Sequence, residues 1–174
     1  MIERVGVVGA GFMGSGIAES AARAGCSVTL VETQGAALDR SRGSIETSVT
    51  RAVERGKLDE SDAAPLLERI EWSTDLDALA ESDAVVEAVF EDPAVKGPLF
   101  RTLDGMLAED AILASNTSSI PIAQLASWTN RPQRVLGLHF FSPVPVMKLV
   151  EVVVGLDTGT EMDGAASLKK PVSR

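Results

Sequence analysis

A single histidine, His139, occurs in the 174 residues, and Glu151 follows it twelve positions later. Imidazole is the side chain suited to taking up and returning a proton near neutral pH. A carboxylate bonded to its far nitrogen would select the tautomer and stabilise the imidazolium. The spacing allows a strand ending at His139 to be followed by one that folds back beside it. An ordinary turn histidine and an exposed strand glutamate are the alternatives. A second group of residues is Gly9-Ala10-Gly11-Phe12-Met13-Gly14, a GxGxxG loop. Gly9 permits a tight turn, Gly11 lets the backbone approach a pyrophosphate, and Gly14 lets a helix pack close to a strand. Exposed N–H groups at the positive end of that helix favour phosphates. A flexible glycine-rich turn is the alternative. The third element is Glu32, eighteen residues beyond Gly14. A carboxylate at about that distance accepts from a ribose 2′-OH and repels a 2′-phosphate, so the pattern predicts NAD rather than NADP. The expected cofactor-binding positions in the loop are Gly9, Gly11, Phe12, Met13 and Gly14. In an NAD enzyme that oxidises an alcohol, His139 would remove the hydroxyl proton.

These residues need elements to position them. Val5 to Val8 reads as a buried parallel strand, and a helix with Ile17, Ala18, Ala21 and Ala22 on its apolar side follows the glycines. A second strand, Ser27 to Val31, delivers Glu32. A long helix is predicted from about Ala36 to Arg55, with Leu38, Ile45, Val49, Ala52 and Val53 inward. Ser41, Ser44, Ser48, Arg51 and Arg55 recur on it at helical spacing. Such a basic stripe could meet an anionic ligand, or it could be an ordinary solvated face. A short helix then runs to Arg69, and strands are predicted at Ile70 to Ser73 and Ala84 to Val89, with Thr74 to Ala80 a short helix between them. Glu91 lies just past the second of these, where open α/β sheets bind ligands. A helix from about Pro93 to Leu107 carries Lys96 near its start. The strand Asp110 to Ser115 opens directly into Asn116-Thr117-Ser118-Ser119, read either as a binding loop or as a helix cap before Pro121. Arg134 to Leu138 delivers His139, and Lys148 to Val154 is a final strand containing Glu151. At least six strands separated mostly by helices predict an α/β fold, a Rossmann-like doubly wound, mostly parallel sheet. The last two strands are joined without a helix, so an antiparallel edge strand is expected.

Composition narrows the function classes. Hydrophobic residues make up 45%, enough for one good core. A net charge of −9 argues against general binding to nucleic acid or an anionic membrane. No run reaches the length of a membrane span, and the first strand begins too soon to leave room for a leader, so a cytoplasmic protein is expected. The lone Cys26 excludes an internal disulfide and a cysteine-built zinc site, and it reads as a small buried hydrophobe. No metal site is expected.

The segments VGVVGAGFMG, VVEAVFED (85–92), SNTSSI (115–120) and GLHFFSPVPVMKLVEVV (137–153) together resemble the N-terminal domain of the L-3-hydroxyacyl-CoA dehydrogenases of fatty-acid β-oxidation and the similar 3-hydroxybutyryl-CoA dehydrogenases. The resemblance runs from residue 1 to about 158. It implies His139 as general base, Glu151 as its partner, and Ser118 as a hydrogen-bonding group for both the substrate's 3-oxygen and the nicotinamide region of the cofactor. It implies Glu32 on the adenine ribose, with Glu91, Lys96, Asn116 and Ser142 near the cofactor. It also implies CoA along the basic helix, touched by Ser48 and Arg55, and hence an acyl-CoA thioester substrate.

The chain departs from the family pattern in two places. Ser142 stands where the family usually has Asn, which keeps a hydrogen-bonding group on a shorter side chain. Residues 159–174 are read as a short polar tail at the point where the family continues into an all-helical domain that completes the pocket and carries most of the dimer interface. Two further readings follow. One is an NAD-binding module with little or no catalysis unless a helical partner chain completes the site, a homodimer being the other partner considered. The other is a different β-hydroxyacid dehydrogenase with a lysine base, against which His139 and its HFFSPVP segment argue.

Overall fold

The computed structural model of the chain describes residues 2–147 and 149–159. Its strands are β1 (Arg4–Val8), β2 (Ser27–Val31), β3 (Ile70–Ser73), β4 (Ala84–Glu87), β5 (Ile112–Ser115), β6 (Val135–Phe140) and β7 (Val150–Val154). The helices are α1 (Phe12–Arg23), α2 (Gly35–Glu54), α3 (Glu60–Glu68), α4 (Pro93–Met106) and α5 (Ile122–Ala126), with 3-10 turns at Leu76–Leu79 and Pro132–Arg134. One sheet of order β3-β2-β1-β4-β5-β6-β7 results. Every pair is parallel except β6 with β7. The doubly wound sheet and its antiparallel edge are as the sequence predicts. The strand count among the described residues is seven. The predicted tail lies outside the described residues apart from residue 159, as does Lys148 of the predicted last strand.

The central strands are apolar on both sides because both faces are covered. On one face Val5, Val7, Val28, Leu30 and Val86 pack with Ile17 and Ala18 of α1 and with Leu38, Ile45 and Val49 of α2. On the other, Val8, Val31, Val85 and Leu113 pack with Phe100 and Leu103 of α4 and with Ile122 and Leu125 of α5. Cys26 is buried in the first of these clusters, as its sequence context predicts. No helix among the described residues is long and apolar enough to cross a membrane.

A buried polar knot closes the α4–β5–β6 side. Asp104 accepts from the Asn130 backbone N–H and side-chain amide, both at 2.8 Å, and from Arg131 Nε at 2.8 Å. Arg131 also donates to the Leu107 carbonyl at 3.1 Å, which satisfies the end of α4. Replacing Asp104 by Ala would leave a largely buried guanidinium without its carboxylate. The expected cost is about 3–5 kcal/mol of stability, read as a lower urea midpoint.

Candidate active site

The carboxyl ends of the parallel strands form one edge, and the predicted site residues collect there. β1 ends just before Gly9, whose φ of 102° suits glycine. A Cβ on Gly14 would lie 1.7 Å from the Gly9 carbonyl oxygen, so only glycine lets α1 start this close to the strand. Nothing lies within 4 Å of a Cβ on Gly11, which leaves that side of the turn open. Gly11 is the N-cap of α1, no side chain caps the helix, and its first turn has no acid. The first N–H groups of α1 therefore remain available to an anion. Phe12 is exposed and Met13 half-buried. Glu32 reaches the turn from β2: Ala10 N–H donates to its Oε2 at 3.3 Å, and Thr33 Oγ1 donates to its Oε1 at 3.1 Å. An open turn, free amides and an adjacent carboxylate fit the pyrophosphate and ribose of NAD.

At the other end of the edge, His139 faces Glu151 in the antiparallel register of β6 and β7. Their Nδ1 and Oε2 atoms are 2.9 Å apart. The hairpin-like return brings the start of β7 to the end of β6, so Glu151 arrives beside His139 on the same face. The sixth strand extends through Phe140, so His139 is held within the ladder rather than just beyond it. Phe141 packs on the imidazole with ring centroids 4.7 Å apart. Phe140 N–H donates to Asn116 Oδ1 at 2.9 Å, tying this strand end to the loop after β5. Ser142 is exposed at the following bend.

Between these ends lies a cluster around Glu91. Lys96 donates to Glu91 Oε2 at 2.7 Å and to Glu87 Oε2 at 3.0 Å. Ser115 Oγ donates to Glu87 Oε2 at 2.6 Å, and Val89 N–H donates to Glu87 Oε1 at 2.7 Å. Glu91 Oε1 accepts from the Ser118 and Ser119 N–H groups, each at 3.1 Å, from Ser119 Oγ at 3.0 Å, and from the Thr117 hydroxyl. Burial pushes the Glu91 carboxyl up, but the Lys96 ammonium and the Thr117 and Ser119 hydroxyls outweigh it and hold its pKa at about 2. Its contribution to stability is complete above its ordinary value of 4.5 and is lost as pH falls toward about 2. Glu91→Gln is expected to flatten the loss of stability across that window, read as urea midpoints at successive pH values. Solvent at the carboxylate's open side keeps the change modest.

The structure changes two details of the sequence reading. Ser41 is buried and shares a 2.8 Å hydrogen bond with Ser15, so it leaves the basic stripe. α1 packs on α2 there, and a hydroxyl pair satisfies both side chains. Ser48 is half-buried and Arg55 exposed. The serines after β5 do not cap α5, whose N-cap is Pro121, because Glu91 gathers them instead. Lys96 is 1% exposed, with its ammonium between Glu91 and Glu87. Glu87 is not singled out by the sequence, because one acid within the run VVEAV reads as part of a core strand.

The fold and its glycine turn define a dinucleotide-binding domain. The chain belongs to the family described as 3-hydroxyacyl-CoA dehydrogenase, NAD binding domain, whose model matches residues 4–168. NAD is accordingly its cofactor. The chain is 53% identical over 158 residues to a 3-hydroxybutyryl-CoA dehydrogenase of Mycobacterium tuberculosis, covering 90% of this chain and 55% of the relative. It is 45% identical over 160 residues to a probable 3-hydroxybutyryl-CoA dehydrogenase of Bacillus subtilis, covering 92% and 56%. The solved (S)-3-hydroxybutyryl-CoA dehydrogenase PaaH1 from Ralstonia eutropha superposes with a TM-score of 0.92 at 43% identity, covering 95% of this chain and 58% of that one. The chain thus spans little more than half the length of these relatives.

Proposed function

We propose that this chain forms the cofactor and proton-transfer half of an NAD-dependent 3-hydroxyacyl-CoA dehydrogenase. The observation that carries the reading is the His139–Glu151 pair at the same sheet edge as the glycine turn. With Glu151 accepting from Nδ1–H, His139 Nε2 is left as the base. It takes the substrate's hydroxyl proton, and Ser118 holds the 3-oxygen. Bound NAD supplies the hydride acceptor. The balanced reaction is (3S)-3-hydroxyacyl-CoA plus NAD⁺ to 3-oxoacyl-CoA, NADH and a proton.

In this reading Glu32 holds the adenine ribose. Glu91, Asn116 and Ser142 serve the other half of the cofactor, with Lys96 supporting Glu91, and Ser48 and Arg55 on α2 meet CoA. Residues 1–158 are the NAD-binding domain, and the protein works in the cytoplasm. Steady-state reduction of acetoacetyl-CoA by NADH tests the reaction. Turnover that survives His139→Gln would sink the mechanism.

A second reading is a binding module that needs a helical partner chain or a second copy. It is favoured by the openness of the pair, with side chains 26% and 53% exposed, and by Val152, Val153 and Val154, each at least 41% exposed. Calorimetric NAD binding without turnover would support it. Robust turnover by the chain alone would remove it.

A further inference from the structure

We propose that Glu87, through Lys96 and Glu91, is a positioning residue for the loop that meets the nicotinamide end of the cofactor. The inference rests on the reading of residues 116–119 as part of that end. A dinucleotide crosses a doubly wound sheet at the switch between β1 and β4, with its pyrophosphate at the glycine turn. Glu32 lies on the β2 side of that switch, and Glu91 with the loop after β5 lies on the other.

Glu87 is fully buried and Lys96 is 1% exposed. Both oxygens of Glu87 accept: Oε1 from Val89 N–H, and Oε2 from Ser115 and Lys96. Lys96 is thereby fixed with its ammonium also on Glu91 Oε2, which leaves Glu91 Oε1 to gather the donors of the loop. The order of contacts runs from the core of β4 outward to the backbone of Ser118. An amide at position 87 could not serve both oxygens' donors, because its NH₂ group would face one of them.

The double variant Glu87→Gln/Lys96→Met removes the two buried charges together; Glu91 loses its cation and keeps the N–H and hydroxyl donors of the loop. Calorimetric affinities for NAD and for ADP, which lacks the nicotinamide half, give the readout, with thermal unfolding as the check on the fold. The expected result is a native-like transition, ADP affinity within about twofold of wild type, and NAD affinity weakened about tenfold. Unchanged NAD affinity, equal losses for both ligands, or a variant that does not fold would each overturn the inference. Failure of the underlying reading is separate: wild type itself would then bind NAD no more tightly than ADP.

Discussion

His139→Gln is expected to lower turnover of acetoacetyl-CoA with NADH by about 10²- to 10⁴-fold, the range for losing a positioned general acid or base. NAD affinity should stay within about twofold, because the glycine turn and Glu32 follow β1 and β2, three and four strands away from β6 in the sheet. The separation of the two effects is the informative part. A glutamine retains a hydrogen-bonding side chain of similar length but cannot carry the proton. Glu151→Gln should produce a smaller loss, since the imidazole remains while the acceptor that orients Nδ1–H is weakened. Steady-state kinetics together with calorimetry distinguish these outcomes. A parallel collapse of NAD binding in His139→Gln would mean that the residue supports the fold instead.

Gly14→Ala is expected to weaken NAD binding at least tenfold and to destabilise the chain by about 1–3 kcal/mol. The new Cβ would fall 1.7 Å from a backbone oxygen that cannot rotate away. Gly11→Ala separates the two consequences. Its Cβ meets no protein atom within 4 Å, so stability should change by no more than about 1 kcal/mol. The same methyl occupies the side on which the pyrophosphate approaches, so NAD affinity should still fall about tenfold. Chemical denaturation and calorimetry on both variants check the contrast. Equal effects at the two positions would show that the open side of Gly11 is not where the cofactor sits.

The succession of strands and helices, the glycine turn and the acid after β2 are all legible in the residues alone. These features are local: strand and helix periodicities and glycine's lack of a Cβ act on contiguous residues. The antiparallel edge is legible too, because the link between β6 and β7 contains no crossover helix. Which groups bond to which is a matter of the folded arrangement. Folding buries Ser41 against Ser15, opposes His139 to Glu151 in register, and collects Thr117, Ser118 and Ser119 around Glu91. It also joins Glu87 to Ser115 and Lys96, which no spacing in the chain announces. Sheet order brings β4 beside β5 and α4 over both. Only that placement brings groups many residues apart within about 3 Å, where a hydrogen bond forms.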